Sequence, residues 1–181
     1  MAPQADDLTI RLLAEADLVH LADLDRSEEI TLGYRVEEGR LIAEPVDRKR
    51  SRWDEGQVAR FRLRVLEQLE RGGQAVGAFD GDRLVGFAVL GYCFRGPNRD
   101  YLHLDLLHVS RPYRRMGVAT RLMEQIESLA RERGARRLYI SATPSQSAVG
   151  FYFSRGARLA PEPDPELHAL EPHDIPLMIE L

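Results

Sequence analysis

The chain is poor in several features, and each shortage excludes a class of protein. Cys93 is the only cysteine, so no disulfide can form within the chain, which excludes a disulfide-stapled miniprotein. No apolar run approaches the roughly 18 residues of a membrane-spanning helix, so no membrane partner is expected. The first residues lack a basic stretch leading into an apolar one, so no signal peptide is expected and the predicted location is cytoplasmic.

Neither sign of charge dominates the chain. The 25 basic and 29 acidic residues give a formal net charge of −4, so no nucleic-acid partner is expected despite the basic cluster at 111–115. His168 and His173 lie in a proline-rich segment, where no helix brings them together, so no metal site is expected. The hydrophobic fraction of 44% and the length of 181 residues predict a soluble protein with a single domain over residues 1–181.

Apolar periodicity predicts an α/β (α+β) fold. The predicted strands alternate or concentrate apolar residues and lie at 8–13, 74–80, 83–92, 101–109, 137–143 and 175–181. The predicted helices carry apolar residues at helical spacing and lie at 15–26, 54–71, 117–133 and 148–155. Residues 27–52 are less regular, with a hairpin about Gly39 as one interpretation. The acidic segment 162–174 is predicted to be a solvated loop, and the alternative interpretation is that it favours a cationic amine.

A basic turn joins a predicted strand to a predicted helix between Leu106 and Met123. The start of a helix exposes unpaired N–H groups and about half a positive charge, which favours phosphate. Gly117 permits close approach of a ligand, and Arg114 and Arg115 add positive charge. The alternative interpretation is an ordinary strand–turn–helix with solvated arginines.

Two segments resemble a known family. Arg114-Arg-Met-Gly-Val-Ala119 resembles the Arg/Gln-x-x-Gly-x-Gly/Ala signature of the GNAT superfamily of N-acetyltransferases. The segment from Ser145 to Gly156 resembles the later family helix Asn-x-x-Ala-x-x-x-Tyr-x-x-x-Gly-Phe, with Ser145 in place of asparagine and Ala157 in place of phenylalanine. The resemblance covers about residues 74–160.

The resemblance implies both a fold and a cosubstrate. The fold is a mixed, mainly antiparallel central sheet flanked by helices, with parallel strands that splay apart at the cofactor site and a helical acceptor-side region at 14–72. The cosubstrate is acetyl-CoA, whose pyrophosphate would meet backbone N–H groups and whose pantetheine would pair with a strand. The implied cofactor-binding residues are Leu107, Val109, Arg114, Arg115, Met116, Gly117, Val118, Ala119, Thr120 and Ser145.

The implied reaction is acyl transfer from a thioester to a primary amine of a small molecule or peptide. A lysine-like amine with a pKa of ~10.4 must lose a proton before it attacks, which costs ~4.6 kcal/mol at pH 7, and a general base offsets part of that cost. Tyr152 lies where many family members carry the acid that protonates the leaving thiolate. The alternative interpretation of Tyr152 is a packed helix tyrosine.

The strand at 101–109 offers three candidates for the base: His103 and Asp105, which match positions used by the family, and His108. Strand alternation would place both residues on one face with Leu107 and Val109, and His108 on the other face unless a bulge intervenes. A non-catalytic protein of this fold that binds acyl-CoA as a sensor or scaffold is the alternative function. The expected default assembly is a homodimer.

Overall fold

The computed structural model describes residues 8–181, which divide into two compact units. The first unit contains residues 8–28, Ser51–Cys93 and Leu104–Leu129. The second unit contains Glu29–Arg50, Phe94–His103 and Ala130–Leu181. Among the described residues, no helix is long and apolar enough to cross a membrane.

Strands make up most of the regular structure. They are β1 (Thr9–Leu12), β2 (Glu28–Glu37), β3 (Arg40–Arg50), β4 (Gln74–Asp80), β5 (Arg83–Leu90), β6 (Tyr101–Val109), β7 (Arg137–Ala142), β8 (Arg158–Leu159) and β9 (Ile175–Glu180). The α-helices are α1 (Glu55–Glu70), α2 (Val118–Glu132), α3 (Gln146–Ser154) and α4 (Pro165–Leu170). Within residues 8–181, 3₁₀ helices cover Glu15–Asp23 and Arg111–Tyr113.

Seven strands form the main sheet. Its order is β1-β4-β5-β6 through the first unit and β7-β9-β8 in the second, and β6 contributes residues to both units. Among the described strands, the pairs β1–β4, β4–β5, β5–β6, β7–β9 and β8–β9 are antiparallel, and the sheet also contains a parallel pair. The predicted mixed, mainly antiparallel sheet flanked by helices is therefore confirmed, while the splay of the parallel strands stays a prediction.

The helix predicted at 54–71 packs one apolar face into the core of the first unit. Asp54 caps α1 by accepting a hydrogen bond from the Gln57 N–H (2.7 Å), and the Gln57 side chain accepts from the Asp54 N–H (3.1 Å). The predicted apolar face is the one that packs, through Val58, Phe61, Val65, Leu66 and Leu69. These side chains join a cluster with Leu18, Leu21, Trp53, Phe79, Phe87 and Leu106.

Gly86 allows close packing of α2 on the sheet. A Cβ at this position would lie 3.3 Å from both Val118 and Leu122 of α2 and 3.1 Å from the His108 carbonyl oxygen. Val118 and Leu122 are buried, as the predicted stripe requires. The helix that follows the basic turn is thus seated directly against β5.

Residues 28–50 are a β-hairpin, not part of a helical region. The two-residue turn uses Glu38 and Gly39, both with left-handed backbone conformations (φ 49° and 72°), as tight hairpins favour. Pro45 lies within β3 and is tolerated because the sheet of β2 and β3 has two strands, so both are edges. The region predicted as helical over 14–72 is helical at its two ends, and its acceptor-side role stays a prediction.

The acidic segment after α3 is folded, which corrects the expected solvated loop. Asp164 is buried and caps α4 by accepting from the N–H groups of Glu166 and Leu167 (3.1 Å each). The Tyr101 hydroxyl donates to the same carboxylate (2.9 Å), and the Asp164 N–H donates to the Tyr139 hydroxyl (3.1 Å). The rings of Tyr101 and Tyr139 stack with centroids 5.7 Å apart, so Asp164 anchors the segment to an aromatic cluster.

Replacing Asp164 with asparagine should lower the free energy of unfolding and make that free energy less sensitive to acidic pH. Burial acts to raise the pKa of Asp164, but hydrogen bonds from Leu167 and Tyr101 and the charge of Arg95 outweigh it and hold the pKa below its ordinary value. The charged carboxylate therefore stabilises the fold above about pH 3.9, and this contribution is lost as the pH falls through the lower folded pKa.

We expect Asp164→Asn to lower the free energy of unfolding by about 1–2 kcal/mol at pH 7 and by less at pH 3, because hydrogen bonds to a charged group are stronger than neutral ones. Urea unfolding at the two pH values measures the difference. Asp82→Asn, at an exposed turn position, is the matched control. A loss that is equal at pH 3 and pH 7 would contradict this role of the charge.

Candidate functional site

The turn between β6 and α2 contains two left-handed backbone positions. The chain leaves β6 at Val109, passes through the 3₁₀ helix Arg111–Tyr113, and enters α2 at Val118. Arg115 has φ 63° and Gly117 has φ 79°, and a Cβ on Gly117 would meet no atom within 4 Å. The backbone at Gly117 is exposed and faces open space, so a ligand can approach it closely.

The amides at the start of α2 point out of the helix. The first bond of the helix joins the Arg121 N–H to the Gly117 carbonyl oxygen (3.0 Å). The N–H groups of Val118, Ala119 and Thr120 precede it and have no acceptor one turn back in the helix. Together with the dipole of α2, they form a site suited to an anionic diphosphate. This geometry fits the predicted pyrophosphate site over residues 115–120.

The Arg114 side chain binds backbone carbonyls. Its Nε donates to the Val109 oxygen and one Nη donates to the Ser27 oxygen, both at 3.2 Å. Arg115 and Met116 are also predicted to contact the cofactor. Arg115 is exposed and Met116 is half-buried. Arg114 thus braces the turn, a role that its sequence position alone did not indicate.

A bulge in β6 changes which side chains share a face. Val89 of β5 lies opposite Leu106, and Leu90 lies opposite Leu104, so Asp105 is an extra residue without an opposite partner in β5. An extra residue in one strand shifts the alternation of the side chains that flank it. The simple alternation predicted for 101–109 is therefore wrong at Asp105.

Leu107 and Val109 lie on the face of β6 that packs towards α2. Val109 is directly opposite Gly86, and Leu107 is directly opposite Ala88. A Cβ on Gly86 would point at Val118 and Leu122 of α2. Directly opposite residues of an antiparallel pair point to the same side, so Leu107 and Val109 share this face.

Asp105 and His108 lie on the opposite face, towards α1. Both Asp105 oxygens accept from Arg64 of α1, at 2.6–3.1 Å, and the Asp105 side chain is 4% exposed. The His108 ring packs at 4.9 Å from Trp53 and 5.8 Å from Phe61 of α1. Asp105 therefore shares a face with His108 and not with Leu107 and Val109, because of the bulge.

His103 lies in the second unit and is buried (4% exposed). Its ring centroid is 6.1 Å from that of Tyr139, within the aromatic cluster that Asp164 anchors. The imidazole is therefore buried beside the Tyr139 ring.

Tyr152 lies on α3 and is 7% exposed. Burial raises the pKa of the Tyr152 phenol, and the negative charge of Asp174 adds to the rise. The phenol therefore keeps its proton throughout the neutral range. Ser145 caps the same helix: its buried Oγ accepts from the Ala148 N–H (3.3 Å). Cofactor binding by Ser145 stays a prediction, and the capping bond is a structural role that the motif did not reveal.

Two residues that sequence reasoning missed hold the start of the basic turn. The Asp25 N–H donates to the buried Oγ of Ser110 (3.0 Å), and the Arg111 N–H donates to the Asp25 carbonyl oxygen (2.7 Å). Ser110 lies 85 positions from Asp25 in the chain. No local pattern marks such a pair, so only the folded chain identifies it.

Comparison with known proteins decides the family. Residues 38–157 match the family model described as the acetyltransferase (GNAT) family. The chain belongs to the GNAT acetyltransferase family. Members of this family use acetyl-CoA, which confirms the cosubstrate that the basic turn and the α3 motif predict. No curated protein sequence matches the chain.

Solved structures share the GNAT fold along nearly the whole chain. A nourseothricin acetyltransferase has a TM-score of 0.72 at 21% identity, with 96% of this chain and 98% of that chain covered. A Bacillus anthracis protein described as a streptothricin acetyltransferase, crystallised with acetyl coenzyme A, has a TM-score of 0.70 at 19% identity, with 96% and 99% covered. The PaiA N-acetyltransferase of Thermoplasma acidophilum, with coenzyme A, has a TM-score of 0.63 at 16% identity, with 96% and 99% covered.

Proposed function

We propose that this GNAT acetyltransferase transfers an acetyl group from acetyl-CoA to a primary amine of a small molecule or peptide by direct attack. The observation that carries the proposal is the turn before α2, where outward amides and an open Gly117 coincide with the family signature Arg114–Ala119. Bound acetyl-CoA supplies a thioester, whose carbonyl carbon the amine attacks and whose thiolate leaves. Everything else in the reaction is binding, orientation and proton transfer by side chains and amides of this chain.

The amides of residues 115–120 hold the diphosphate in this proposal. They belong to the backbone, so they are present whatever side chains residues 115–120 carry, while their direction depends on the conformation of the turn. Gly117 and Ala119 keep the approach open because they carry little or no side chain. The pantetheine pairs with β6 near Leu107 and Val109, where the predicted splay of the parallel strands would leave backbone groups of β6 open to a ligand.

Tyr152 is the proposed acid for the leaving thiolate. Its raised pKa keeps the hydroxyl protonated, so the donor is present in every molecule at neutral pH. The same rise weakens the phenol as a free acid relative to a thiol of pKa ~8.5. We therefore assign its contribution to a hydrogen bond that strengthens as negative charge develops on sulfur, with the proton following as the C–S bond breaks.

His103 is the proposed base, and Asp105 is the proposed positioning partner of Arg64. Both Asp105 oxygens accept from a guanidinium, so proton acceptance there would compete with an ion pair. His103 is preferred because a neutral imidazole nitrogen is a common general base. His108, packed against Trp53 and Phe61, is not assigned a role in proton transfer.

The assignment of the base predicts different losses in two variants. His103→Gln should lower kcat about 100-fold and leave acetyl-CoA affinity unchanged, since a positioned base contributes about that factor. Asp105→Asn should mainly lower stability, because it weakens a buried bond to Arg64. Steady-state kinetics and urea unfolding of both variants test this. If Asp105→Asn folds normally and loses more activity than His103→Gln, the roles are reversed.

The experiment that tests the proposed function is an amine panel with acetyl-CoA consumption and thiol release as the readout. The fold similarity to acetyltransferases named for nourseothricin and streptothricin makes these antibiotics the first acceptors to try. Polyamines, amino acids and peptides with a free N-terminus complete the panel. Turnover with any amine supports the proposal, and tight acetyl-CoA binding with no turnover across the panel would favour a sensor or scaffold.

A further inference from the structure

We infer that Arg114, Ser110 and Asp25 are positioning residues that fix the shape of the turn before α2, and that Arg114 acts through its hydrogen bonds to the backbone and not as a charge for phosphate. The inference rests on the proposed diphosphate site at residues 115–120. It assigns Arg114, the first residue of the signature, to holding the turn in shape and not to contacting the diphosphate. It also adds two residues that the signature does not contain.

The segment before the turn is fixed at successive residues. Ser110 is 2% exposed, and its Oγ accepts from the Asp25 N–H (3.0 Å). The Arg111 N–H donates to the Asp25 carbonyl oxygen (2.7 Å), and the Tyr113 hydroxyl donates to Asp80 (2.6 Å). These bonds set the direction in which the chain enters the turn.

The Arg114 side chain hydrogen-bonds two backbone segments, the end of β6 and the chain at Ser27. Its Nε binds the oxygen of Val109, five residues earlier, and its Nη1 binds the oxygen of Ser27 (3.2 Å each). A guanidinium can make two such bonds in one plane because its donors form a rigid fork. An ammonium is a compact donor on a flexible stem, so lysine does not reproduce this fixed pair.

Asp25 is itself held in place. Its carboxylate accepts from the Ser27 N–H and from Arg52, both at 2.9 Å. Hydrogen bonds from Ser27 and then from Arg52 hold the pKa of Asp25 at about 2, so the carboxylate stays charged at neutral pH. The backbone groups of Asp25 and Ser27 that bond to Ser110, Arg111 and Arg114 therefore belong to a segment that is itself fixed by hydrogen bonds.

The consequence concerns the residues that follow. Arg115 and Gly117 adopt left-handed conformations, and the amides after them must converge on one point to bind a diphosphate. Left-handed backbone is costly for a residue such as Arg115 and persists when the surrounding structure holds it. The bonds at Ser110 and Arg114 supply that restraint from the N-terminal side.

The test compares two acyl donors in matched variants. Acetyl-CoA carries the diphosphate, and acetyl-pantetheine lacks it, so an effect on the turn should appear with the first donor alone. We expect Ser110→Ala, Arg114→Met and Arg114→Lys each to lower kcat/KM for acetyl-CoA about tenfold, the size of one lost buried hydrogen bond. All three should lower kcat/KM for acetyl-pantetheine clearly less than for acetyl-CoA, since that donor makes no diphosphate contact.

Ser51→Ala and Arg62→Met, at exposed positions, are the matched controls and should leave both donors unaffected. Ser110→Thr keeps a hydroxyl and should restore activity with acetyl-CoA. If Ser110→Ala does not fold, the two Arg114 variants decide. Arg114→Lys with wild-type kinetics, beside an impaired Arg114→Met, would show that charge matters and would overturn the inference.

Equal losses with both donors would also overturn it, because they indicate general damage to the enzyme. Failure of the underlying site gives a different result. If the wild-type protein uses acetyl-CoA no better than acetyl-pantetheine, the diphosphate site at 115–120 is wrong. If the wild type prefers acetyl-CoA and the variants keep that preference, only the positioning roles are wrong.

Discussion

Gly117→Glu should abolish acetyl-CoA binding, with a loss of affinity of at least about 100-fold. Gly117 adopts φ 79°, which costs a residue with a side chain about 1–2 kcal/mol. The larger part of the effect is electrostatic, because a carboxylate at the start of α2 meets the phosphates that the site is proposed to hold, and like charges in contact cost several kcal/mol. Isothermal titration with acetyl-CoA measures the loss.

The chain provides a matched control for this substitution. Gly134 has φ 89°, is exposed, and has no atom within 4 Å of its Cβ position, as Gly117 has none. Gly134→Glu therefore introduces the same side chain into the same backbone conformation away from the turn. We expect it to bind acetyl-CoA as the wild type does. Unchanged affinity in Gly117→Glu would remove the turn from the binding site.

Tyr152→Phe should lower kcat by about 10²–10³-fold while acetyl-CoA affinity stays within about twofold of the wild type. The substitution removes one hydroxyl from a buried ring and keeps the ring. A donor that acts on charge present only in the transition state contributes to kcat and not to ground-state binding. Because the pKa of Tyr152 is raised, wild-type kcat should show no loss from phenol ionisation up to about pH 9, below the ordinary tyrosine pKa of ~10.

Tyr139→Phe is the control for Tyr152→Phe. Tyr139 is also a buried tyrosine of the second unit, and its hydroxyl accepts from the Asp164 N–H (3.1 Å). Its loss should lower the free energy of unfolding by about 1–3 kcal/mol, because the Asp164 N–H is left unpaired, with kcat nearly unchanged. Equal activity in Tyr152→Phe and the wild type would exclude the phenol from the mechanism.

Local patterns predicted most of the fold correctly. The apolar runs at 74–80 and 83–92 predicted the two strands of the β4–β5 hairpin, and the apolar periodicity of 54–71 predicted the helix that packs in the core as α1. The spacing of apolar residues predicts these elements because side chains repeat every two residues along a strand and about every 3.6 residues around a helix. The signature Arg114–Ala119 identified the turn and the cosubstrate, since the chemistry there depends on backbone amides over a short stretch.

Features that depend on distant residues were not predictable. The bulge at Asp105 needs the register of β5, and Arg64, which binds Asp105, lies 41 positions away. Asp164 sits among prolines and acids that are typical of a loop, yet its partner Tyr101 lies 63 positions earlier. Such contacts override local propensity, because a buried carboxylate bonded by several donors stabilises a conformation that composition alone disfavours.

Asp105 is a single inserted residue in β6, so its side chain lies outside the regular pairing with β5. Downstream of it, Leu107 and Val109 keep the same orientation towards α2 that pairing with β5 dictates. The side chain at position 105 can therefore change without altering the pairing with β5 that orients Leu107 and Val109, and the expected effect of such a change is the loss of the stabilising bond to Arg64. Deleting the residue would restore regular pairing of β5 with β6 and remove the carboxylate that binds Arg64.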